Sequence, residues 1–167
     1  GRKKYDIMNR GHDGFTIHGV KRILEKECIL KRPDVVSILI GCNDVGVMMN
    51  TGKSLEEQQF ETCYEAIVKE ITEQSDAKLI CMSPFIVPYP GMYENWIPGI
   101  KQTERIEKKI AEKYHADFLA LQDMIILKAE KVGYESVTTD GIHLTEYGNE
   151  IIAGAWLQLF EKIKDGD

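Results

Sequence analysis

Residues 35–46 of the chain, Val-Val-Ser-Ile-Leu-Ile-Gly-Cys-Asn-Asp-Val-Gly, change character at their midpoint. The apolar, largely β-branched run from residue 35 to residue 40 predicts a buried β-strand. Gly41 interrupts this run, and Cys42, Asn43 and Asp44 follow it directly. A strand that simply ends in a turn has this pattern, and so does a strand that delivers polar side chains to a ligand. The stretch by itself leaves both interpretations open.

Strand-like and helix-like segments alternate on both sides of this stretch. Upstream, residues 5–8 have the pattern of a short strand, and Thr16 has the position of an N-cap before a helical stripe. Downstream, Ser54 and Glu57 have the spacing of a capping box before an amphipathic helix. Further strands are predicted at residues 78–82 and 117–120, and further helices at residues 60–71, 98–113, 121–132 and 145–163.

Apolar strands separated by amphipathic helices indicate a parallel sheet with helices on both faces. We therefore expect an α/β fold, in which residues 1–167 form one domain. In such sheets, ligands bind at the carboxyl ends of the strands. Polar turns at residues 9–14, at residues 41–44 and after Ser83 are expected at that edge, and the loop at residues 138–143 can reach it.

The composition is that of a soluble globular protein. Hydrophobic residues make up 43% of the chain and charged residues 29%, which are ordinary fractions for such a protein. The chain has 21 Lys and Arg against 27 Asp and Glu, for a formal net charge of −6, and this acidity disfavours nucleic acid as a partner. No apolar run reaches the ~18 residues of a membrane-spanning helix, and no signal-peptide pattern opens the chain.

The cysteines and histidines indicate neither a disulfide framework nor a metal site. The four cysteines are scattered without any Cys-x-x-Cys spacing: Cys28, Cys42, Cys63 and Cys81. Free thiols of this kind are typical of a reducing compartment, so we expect a cytoplasmic protein. The four histidines show no spacing of metal ligands, and we expect no metal and no cofactor.

Residues 140–143, Asp-Gly-Ile-His, place the carboxylate of Asp140 three residues before the imidazole of His143. At this spacing a loop can fold so that the carboxylate accepts from one ring nitrogen and leaves the other as a base. Asn43 can donate its side-chain amide to an oxyanion, and Gly14 can offer a backbone N–H with no Cβ in the way. Each of these residues also has an ordinary explanation as a turn or cap residue. Their joint occurrence at predicted strand ends favours a catalytic interpretation.

These blocks resemble those of the SGNH hydrolases, the GDSL-like lipase/acylhydrolase family of serine esterases. The resemblance rests on residues 9–16, Asn-Arg-Gly-His-Asp-Gly-Phe-Thr, on residues 41–44, Gly-Cys-Asn-Asp, and on residues 140–143. The first block departs from the family pattern at His12 and Asp13, where small or hydroxyl residues are commoner. The resemblance spans nearly the whole chain and implies a three-layer α/β/α sandwich with a flavodoxin-like parallel sheet.

The resemblance also implies roles for individual residues. His143 would be the general base and Asp140 the residue that orients it. Asn43 and Gly14 would supply the donors of an oxyanion hole, and Asp44 would be a structural partner of its turn. The implied reaction is hydrolysis of small acyl esters, including acetyl esters on carbohydrate. The expected partner is a small-molecule ester substrate, with no nucleic acid and no membrane, and the sequence leaves the oligomeric state open.

The family's nucleophile, a serine in a Gly-Asp-Ser block after the first strand, has no counterpart in this sequence. None of the five serines follows Gly-Asp: Ser37, Ser54, Ser75, Ser83 and Ser136. A further strand and crossover helix would need roughly 30 residues, so we expect the intact protein to begin earlier and to carry the serine there. Residues 1–167 would then lack the first strand of the sheet and expose an apolar slot.

Three other interpretations compete with a serine esterase. A catalytically inactive ligand-binding module of the same fold would keep the cleft without a nucleophile. A flavodoxin-like phosphate or nucleotide binder would need a phosphate loop after a strand, which no predicted loop provides. A metal-dependent phosphoesterase would need several carboxylates and histidines, whereas one Asp-His pair is evident. The aromatic loop at residues 85–96 either borders the cleft or simply packs onto the domain.

Overall fold

The computed structural model describes residues 5–166, and within them helices and strands alternate. The strands of this part of the chain are β1 (Val35–Leu39), β2 (Lys78–Met82) and β3 (Asp117–Leu119). Its α-helices are α1 (Ile17–Glu27), α2 (Cys42–Thr51), α3 (Phe60–Gln74), α4 (Ile97–Lys113), α5 (Gln122–Val132) and α6 (Glu146–Asp165). Short 3₁₀ turns lie at Ile29–Lys31, Glu94–Trp96 and Tyr134–Ser136.

The three strands form one parallel sheet, with β2 between β1 and β3. Leu39 is paired with Met82, and Met82 with Leu119, so the carboxyl ends of all three strands finish at the same edge. Parallel neighbours need a crossover connection between them, and the helices supply it. The α/β fold with a parallel sheet, expected from the sequence, is confirmed.

The central strand β2 is buried on both faces and divides the core in two. Leu79 and Cys81 pack with apolar residues of α1, α3 and α4. Ile80 and Met82 face the opposite way and pack with residues of α5 and α6. Helices therefore cover both faces of the sheet, which is the predicted three-layer arrangement. Each large side chain buried in this way contributes roughly 1.5–3 kcal/mol to the free energy of unfolding.

The outer edge of β1 is open within the described residues, because β1 pairs with β2 alone. Ser37 and Leu39 are exposed there, and Leu39 keeps 46% of its surface accessible. Trp156 of α6 donates its indole N–H to Ser37 Oγ at 2.7 Å, so α6 reaches across this end of the sheet. The apolar side chains of α6 remain partly exposed. The described residues therefore include an unpaired strand edge at β1.

The short strand predicted at residues 5–8 is wrong. These residues have no regular secondary structure and are exposed, and Ile7 is 87% accessible. The ring of Tyr5 contacts Phe160 edge-on, with 5.7 Å between the ring centroids. A strand is held by hydrogen bonds to a neighbouring strand, and no strand within residues 5–166 pairs with this segment.

The polar turn predicted at residues 41–44 is the start of helix α2. Gly41 occupies the N-cap position with a left-handed φ of 114°, and the helix begins at Cys42. The sequence hides this helix because Gly46 and several polar residues interrupt its apolar periodicity. Asn43 and Asp44 still lie at the carboxyl end of β1, as predicted, but on a helix rather than in a loop.

The predicted helix caps differ in their hydrogen bonds. Thr145 caps α6 by accepting from the Gly148 N–H at 3.1 Å, whereas Thr16 occupies the N-cap position of α1 without a side-chain bond. Ser54 and Glu57 exchange the two bonds of a capping box, at 2.8 and 3.1 Å. These bonds stabilise a turn that precedes α3, and they do not cap α3 itself. No helix within residues 5–166 combines the length and apolar character needed to cross a bilayer.

Candidate active site

Asp140 and His143 lie in the loop that leads into α6, and they form a hydrogen-bonded pair. Asp140 Oδ2 is 2.7 Å from His143 Nδ1. Asp140 Oδ1 accepts from the backbone N–H groups of Ile142 and His143, at 2.8 and 2.7 Å. Because an ionised carboxylate only accepts, Nδ1 is the donor of the pair and carries the proton. The unprotonated Nε2 is then free to act as a base, and the His143 side chain is 68% exposed.

The charges of the pair stabilise each other. Desolvation opposes ionisation of Asp140, but its hydrogen bonds to the His143 backbone and ring and to Ile142 lower the pKa of Asp140 to about 2. The hydrogen bond and the charge of Asp140 raise the pKa of His143 above its ordinary value, and the charge of Asp13 adds to this rise. Asp140 is therefore positioned to stabilise an imidazolium, as the orienting acid of a triad does.

Gly41 turns the chain from β1 into α2, and a side chain at this position would clash. A Cβ on Gly41 would lie 2.7 Å from Thr103 Cγ2 and 3.1 Å from Pro84 Cγ. The left-handed φ of Gly41 adds to this requirement, because other residues rarely adopt it. The tight turn brings the exposed side chain of Asn43 to the sheet edge, where its amide donates to the Phe15 carbonyl at 2.9 Å.

Gly14 lies directly before Phe15, next to the residue that Asn43 contacts. Its φ is +74°, and an added Cβ would meet no atom within 4 Å. The residue is exposed, and its backbone N–H makes no protein hydrogen bond within residues 5–166. One hydrogen of the Asn43 amide is used by Phe15, and an amide has two. The backbone N–H of Gly14 and the second Asn43 hydrogen are thus two available donors, and the bond from Asn43 to Phe15 brings the two segments that carry them together.

Asp44 holds the first two blocks together and is a structural residue. It is fully buried, and both of its carboxylate oxygens accept from the Ile17 N–H that begins α1, at 3.1 and 3.2 Å. The amide of Gln58 donates to the Asp44 carbonyl at 3.1 Å. Burial raises the pKa of Asp44, although the bond from Ile17 opposes this effect. The sequence predicts Asp44 as a partner of its own turn, whereas it caps a separate helix.

The third block packs against the second. Cys42 and Ile142 both contact one buried apolar cluster, formed by Val45, Ile86 and Ile100. Burial raises the pKa of the Cys42 thiol to about 11, and the negative charges of Asp44 and Asp140 add to this rise. All four residues predicted for the site, Gly14, Asn43, Asp140 and His143, therefore lie around the carboxyl end of β1.

Within the described part of the chain, no serine or cysteine side chain hydrogen-bonds to the His143 ring, which bonds to Asp140. A Cys42 thiol with a pKa of about 11 is un-ionised at neutral pH and therefore unreactive. Ser37 accepts from Trp156, and Ser83 is fully buried between Glu104 and the Leu121 N–H. The other serines bond to nearby groups of their own turns and helix ends: Ser54, Ser75 and Ser136.

The aromatic loop at residues 85–96 borders the loop that carries Asp140 and His143. The Val87 N–H donates to the Gly141 carbonyl at 2.9 Å, and a Cβ on Gly141 would lie 2.8 Å from Val87 O. Trp96 packs over Gly46 of α2, so packing onto the domain accounts for this ring. Tyr89 is 36% and Met92 64% exposed, and these two side chains are accessible beside the site.

Sequence reasoning missed two residues that shape the site. Thr138 is buried, and its hydroxyl bonds within the loop that carries Asp140 and His143. Glu107 of α4 is fully buried, and neither of its carboxyl oxygens has a hydrogen-bond partner in the described residues. The position of Thr138, two residues before Asp140, is a weak signal in the sequence. Nothing in the sequence indicates that Glu107 is buried. No group of three metal-ligating side chains occurs within residues 5–166.

Comparison with known proteins gives consistent matches over most of the chain. An acetylxylan esterase from Geobacillus stearothermophilus is 26% identical over 155 residues, which cover 91% of this chain and 70% of that protein. A human isoamyl acetate-hydrolyzing esterase 1 homolog is 22% identical over 174 residues, covering 96% of this chain and 70% of that protein.

Solved structures share the fold. Axe2-W215I, an acetyl xylan esterase structure from Geobacillus stearothermophilus, superimposes with a TM-score of 0.75 at 26% identity, covering 87% of this chain and 67% of that one. A GDSL-like lipase structure from Parabacteroides merdae gives a TM-score of 0.81 at 23% identity, covering 90% of this chain and 70% of that one. The model of the GDSL-like lipase/acylhydrolase family matches residues 1–151. The chain therefore belongs to the GDSL-like lipase/acylhydrolase family.

Proposed function

We propose that this chain forms the general-base and oxyanion side of a serine esterase that cleaves acetyl and other small acyl esters, including those on carbohydrate. The observation that carries the proposal is the bond of 2.7 Å between Asp140 Oδ2 and His143 Nδ1. It fixes the ring so that the exposed Nε2 can accept a proton. Such a pair is what acyl transfer from an alcohol nucleophile requires.

The reaction would proceed in two similar halves. A serine hydroxyl attacks the ester carbonyl while His143 Nε2 takes the hydroxyl proton, and Asp140 stabilises the imidazolium that forms. His143 then returns this proton to the leaving alkoxide as the carbon–oxygen bond of the ester breaks. Water, deprotonated by the same nitrogen, attacks the acyl-enzyme and releases the acid and the free serine.

Gly14 and Asn43 are proposed to stabilise the oxyanion of each tetrahedral intermediate. The backbone N–H of Gly14 has no protein acceptor within residues 5–166, and Asn43 has a second amide hydrogen beyond the one that Phe15 accepts. The bond to Phe15 fixes the orientation of the Asn43 amide before substrate binds. Donors that are oriented in advance are effective because they need no reorganisation during the reaction.

The nucleophilic serine is proposed to come from outside residues 1–167. Each serine of the chain has a hydrogen-bond partner other than His143, and the open edge of β1 offers a place for a further strand. A parallel strand paired there would end at the sheet edge that already carries Asn43, since parallel strands finish together. The accessible Leu39 would be covered by such a strand, which supports the proposal.

The choice of substrate is supported by what the relatives hydrolyse. One is named as an acetylxylan esterase and another as an isoamyl acetate-hydrolyzing esterase homolog, so both names indicate acetyl esters. Their alcohol groups differ, one a polysaccharide and one a short alkyl alcohol. The higher identity of 26% to the acetylxylan esterase favours carbohydrate. The exposed Tyr89 and Met92 beside the catalytic loop would offer contact surface to a sugar ring.

The proposal is tested on protein expressed from the entire reading frame that contains residues 1–167. We expect hydrolysis of p-nitrophenyl acetate and of acetylated xylo-oligosaccharides, and labelling by a serine-directed fluorophosphonate. His143→Asn should abolish hydrolysis, whereas His115→Asn is the matched control, because His115 lies at the opposite end of the sheet and is exposed. Absence of both hydrolysis and labelling would instead identify an inactive ligand-binding module.

A further inference from the structure

The hydroxyl of Thr138 closes the loop that carries Asp140 and His143. Thr138 is 1% exposed. Its Oγ1 donates to the His143 carbonyl at 2.7 Å and accepts from the Gly141 N–H at 2.9 Å. One side chain therefore bonds to the peptide groups of two residues that flank the turn. The hydroxyl has both its donor and an acceptor site engaged, and it is shielded from solvent.

These two bonds fix the backbone on which the catalytic pair is built. Asp140 lies between Thr138 and Gly141, and its Oδ1 accepts from the N–H groups of Ile142 and His143. If the turn opened, Asp140 would lose its backbone donors and its alignment with the His143 ring together. Val87 holds the outer side of the turn through its N–H to the Gly141 carbonyl, at 2.9 Å. The Thr138 hydroxyl holds the inner side of the turn through its bonds to the His143 carbonyl and the Gly141 N–H.

The neighbouring Thr139 provides an internal comparison. Its hydroxyl also points to the His143 carbonyl, but at 3.4 Å, and the residue is exposed. The backbone N–H of Thr139 bonds to the same carbonyl at 3.1 Å, and this bond survives any side-chain change. Two adjacent threonines thus differ in one respect that matters here: only the Thr138 hydroxyl bonds to both Gly141 and His143.

We propose that Thr138 is a positioning residue, whose hydroxyl holds the Asp140 carboxylate in line with His143 Nδ1. It acts through the turn rather than on substrate, because its hydroxyl is buried and fully bonded within the loop. The inference rests on the proposed function in taking His143 as the base. The predicted effect of Thr138 on the Asp–His pair itself can be measured without any substrate.

The test is an NMR pH titration of the His143 ring in protein expressed from the entire reading frame that contains residues 1–167. Asp140 holds the pKa of His143 above its ordinary value, so a misaligned carboxylate should lower it. We expect Thr138→Val to lower the His143 pKa, and Thr138→Ser, which keeps the hydroxyl, to leave it as in the wild type. Thr139→Val is the matched control and should also titrate as the wild type does.

Two further measurements separate positioning from a general disturbance of the fold. In an Asp140→Asn background, Thr138→Val should have no further effect on His143, because the carboxylate through which it acts is absent. In the intact esterase, Thr138→Val should lower kcat roughly 10–100-fold, as small misplacements of catalytic groups do, with KM changed less than about twofold. Thr138→Ala serves as the second variant if the valine form does not fold.

A folded Thr138→Val protein with the wild-type His143 titration would overturn the proposal. So would an equal change of the His143 pKa in the presence and absence of the Asp140 carboxylate. The titration also distinguishes this inference from the proposed function. If the intact protein hydrolyses no ester while Thr138→Val still lowers the His143 pKa, the esterase assignment fails and the role of Thr138 stands.

Discussion

At the scale of single residues, the site depends on short polar contacts that the sequence pattern only partly reveals. The spacing of Asp140 and His143 predicts their hydrogen bond, because a four-residue turn brings such side chains within reach. The bond from Asn43 to the Phe15 carbonyl could not be predicted, since it joins segments 28 residues apart. Thr138 was missed because a buried hydroxyl and an exposed one look alike in a sequence.

Asn43→Ala should lower kcat of the intact esterase by about 10²–10³-fold, the usual effect of losing one oxyanion donor. KM should change little, because the donor acts on charge that develops after binding. Steady-state kinetics with p-nitrophenyl acetate measure both constants. Asn50→Ala, an exposed position on the same helix α2, is the control and should behave as the wild type. An unchanged kcat for Asn43→Ala would remove Asn43 from the oxyanion hole.

The activity should depend on pH through His143. The base must be neutral to accept a proton, so kcat/KM should rise with pH through the His143 pKa. Asp140 raises that pKa above the ordinary 6.5, which places the half-maximal activity above pH 6.5. Asp140→Asn should move the midpoint to lower pH and reduce the maximum, while Asp76→Asn, at an exposed residue before β2, should leave it in place. A midpoint that does not move in Asp140→Asn would contradict the pairing.

At the scale of elements, the strands were more predictable than the helix starts. The sequence predicts β1, β2 and β3 to within one residue of their observed ends, because short apolar runs bounded by Gly, Pro or polar residues are distinctive. Helix α2 was overlooked because its glycine and polar residues mask the apolar stripe. The strand predicted at residues 5–8 failed for a different reason, since strand pairing is a property of neighbours and not of the segment.

Gly41→Ala tests the junction between β1 and α2. The left-handed φ costs a non-glycine residue about 1–2 kcal/mol, and a Cβ 2.7 Å from Thr103 Cγ2 adds overpacking of about 1–3 kcal/mol. We expect a loss of about 2–4 kcal/mol in the free energy of unfolding, measured by urea denaturation. Gly154→Ala is the matched control in α6, where a Cβ meets nothing, and it should stabilise by up to about 1 kcal/mol. Equal stability of the two variants would show that the turn is not constrained.

At the scale of the whole molecule, the layered fold followed from the alternation of segments, but the open side of the sheet needed the structure. The sequence shows that no serine follows Gly-Asp, whereas the structure shows that β1 has an unpaired edge within residues 5–166. The burial of Glu107 could not be predicted either. An acidic residue on an amphipathic helix normally faces solvent, and here it lies beneath Gly41, inside the core.

Glu107 should make the stability of the molecule fall as pH rises. Burial, together with the charges of Asp44 and Glu104, raises the pKa of Glu107 well above its ordinary value. Between the unfolded pKa, about 4.3, and the higher folded pKa, the native state binds more protons, so stability is lost with increasing pH. Glu107→Gln removes this loss. The urea midpoint of the variant, relative to that of the wild type, should therefore increase from pH 4 to pH 7.

The control for Glu107 is Glu56→Gln, at an exposed position in the turn before α3. This variant should follow the wild type across the same pH range. The comparison also allows for any constant effect of the glutamine amide in the core, because such an effect would not change with pH. A pH-independent difference between Glu107→Gln and the wild type would contradict a buried neutral acid at this position.

The double contact between Asp44 and the first N–H of α1 has a consequence for how accurately the site is built. Gly14 and Asn43 are separated by an entire helix and strand, and small errors in each would otherwise accumulate along the intervening chain. Instead, Asp44 accepts directly from the Ile17 N–H, and the Asn43 amide donates to the Phe15 carbonyl. These side-chain bonds at two adjacent residues set the distance between Gly14 and Asn43. Small movements of the intervening segment would therefore leave the spacing between Gly14 and Asn43 unchanged.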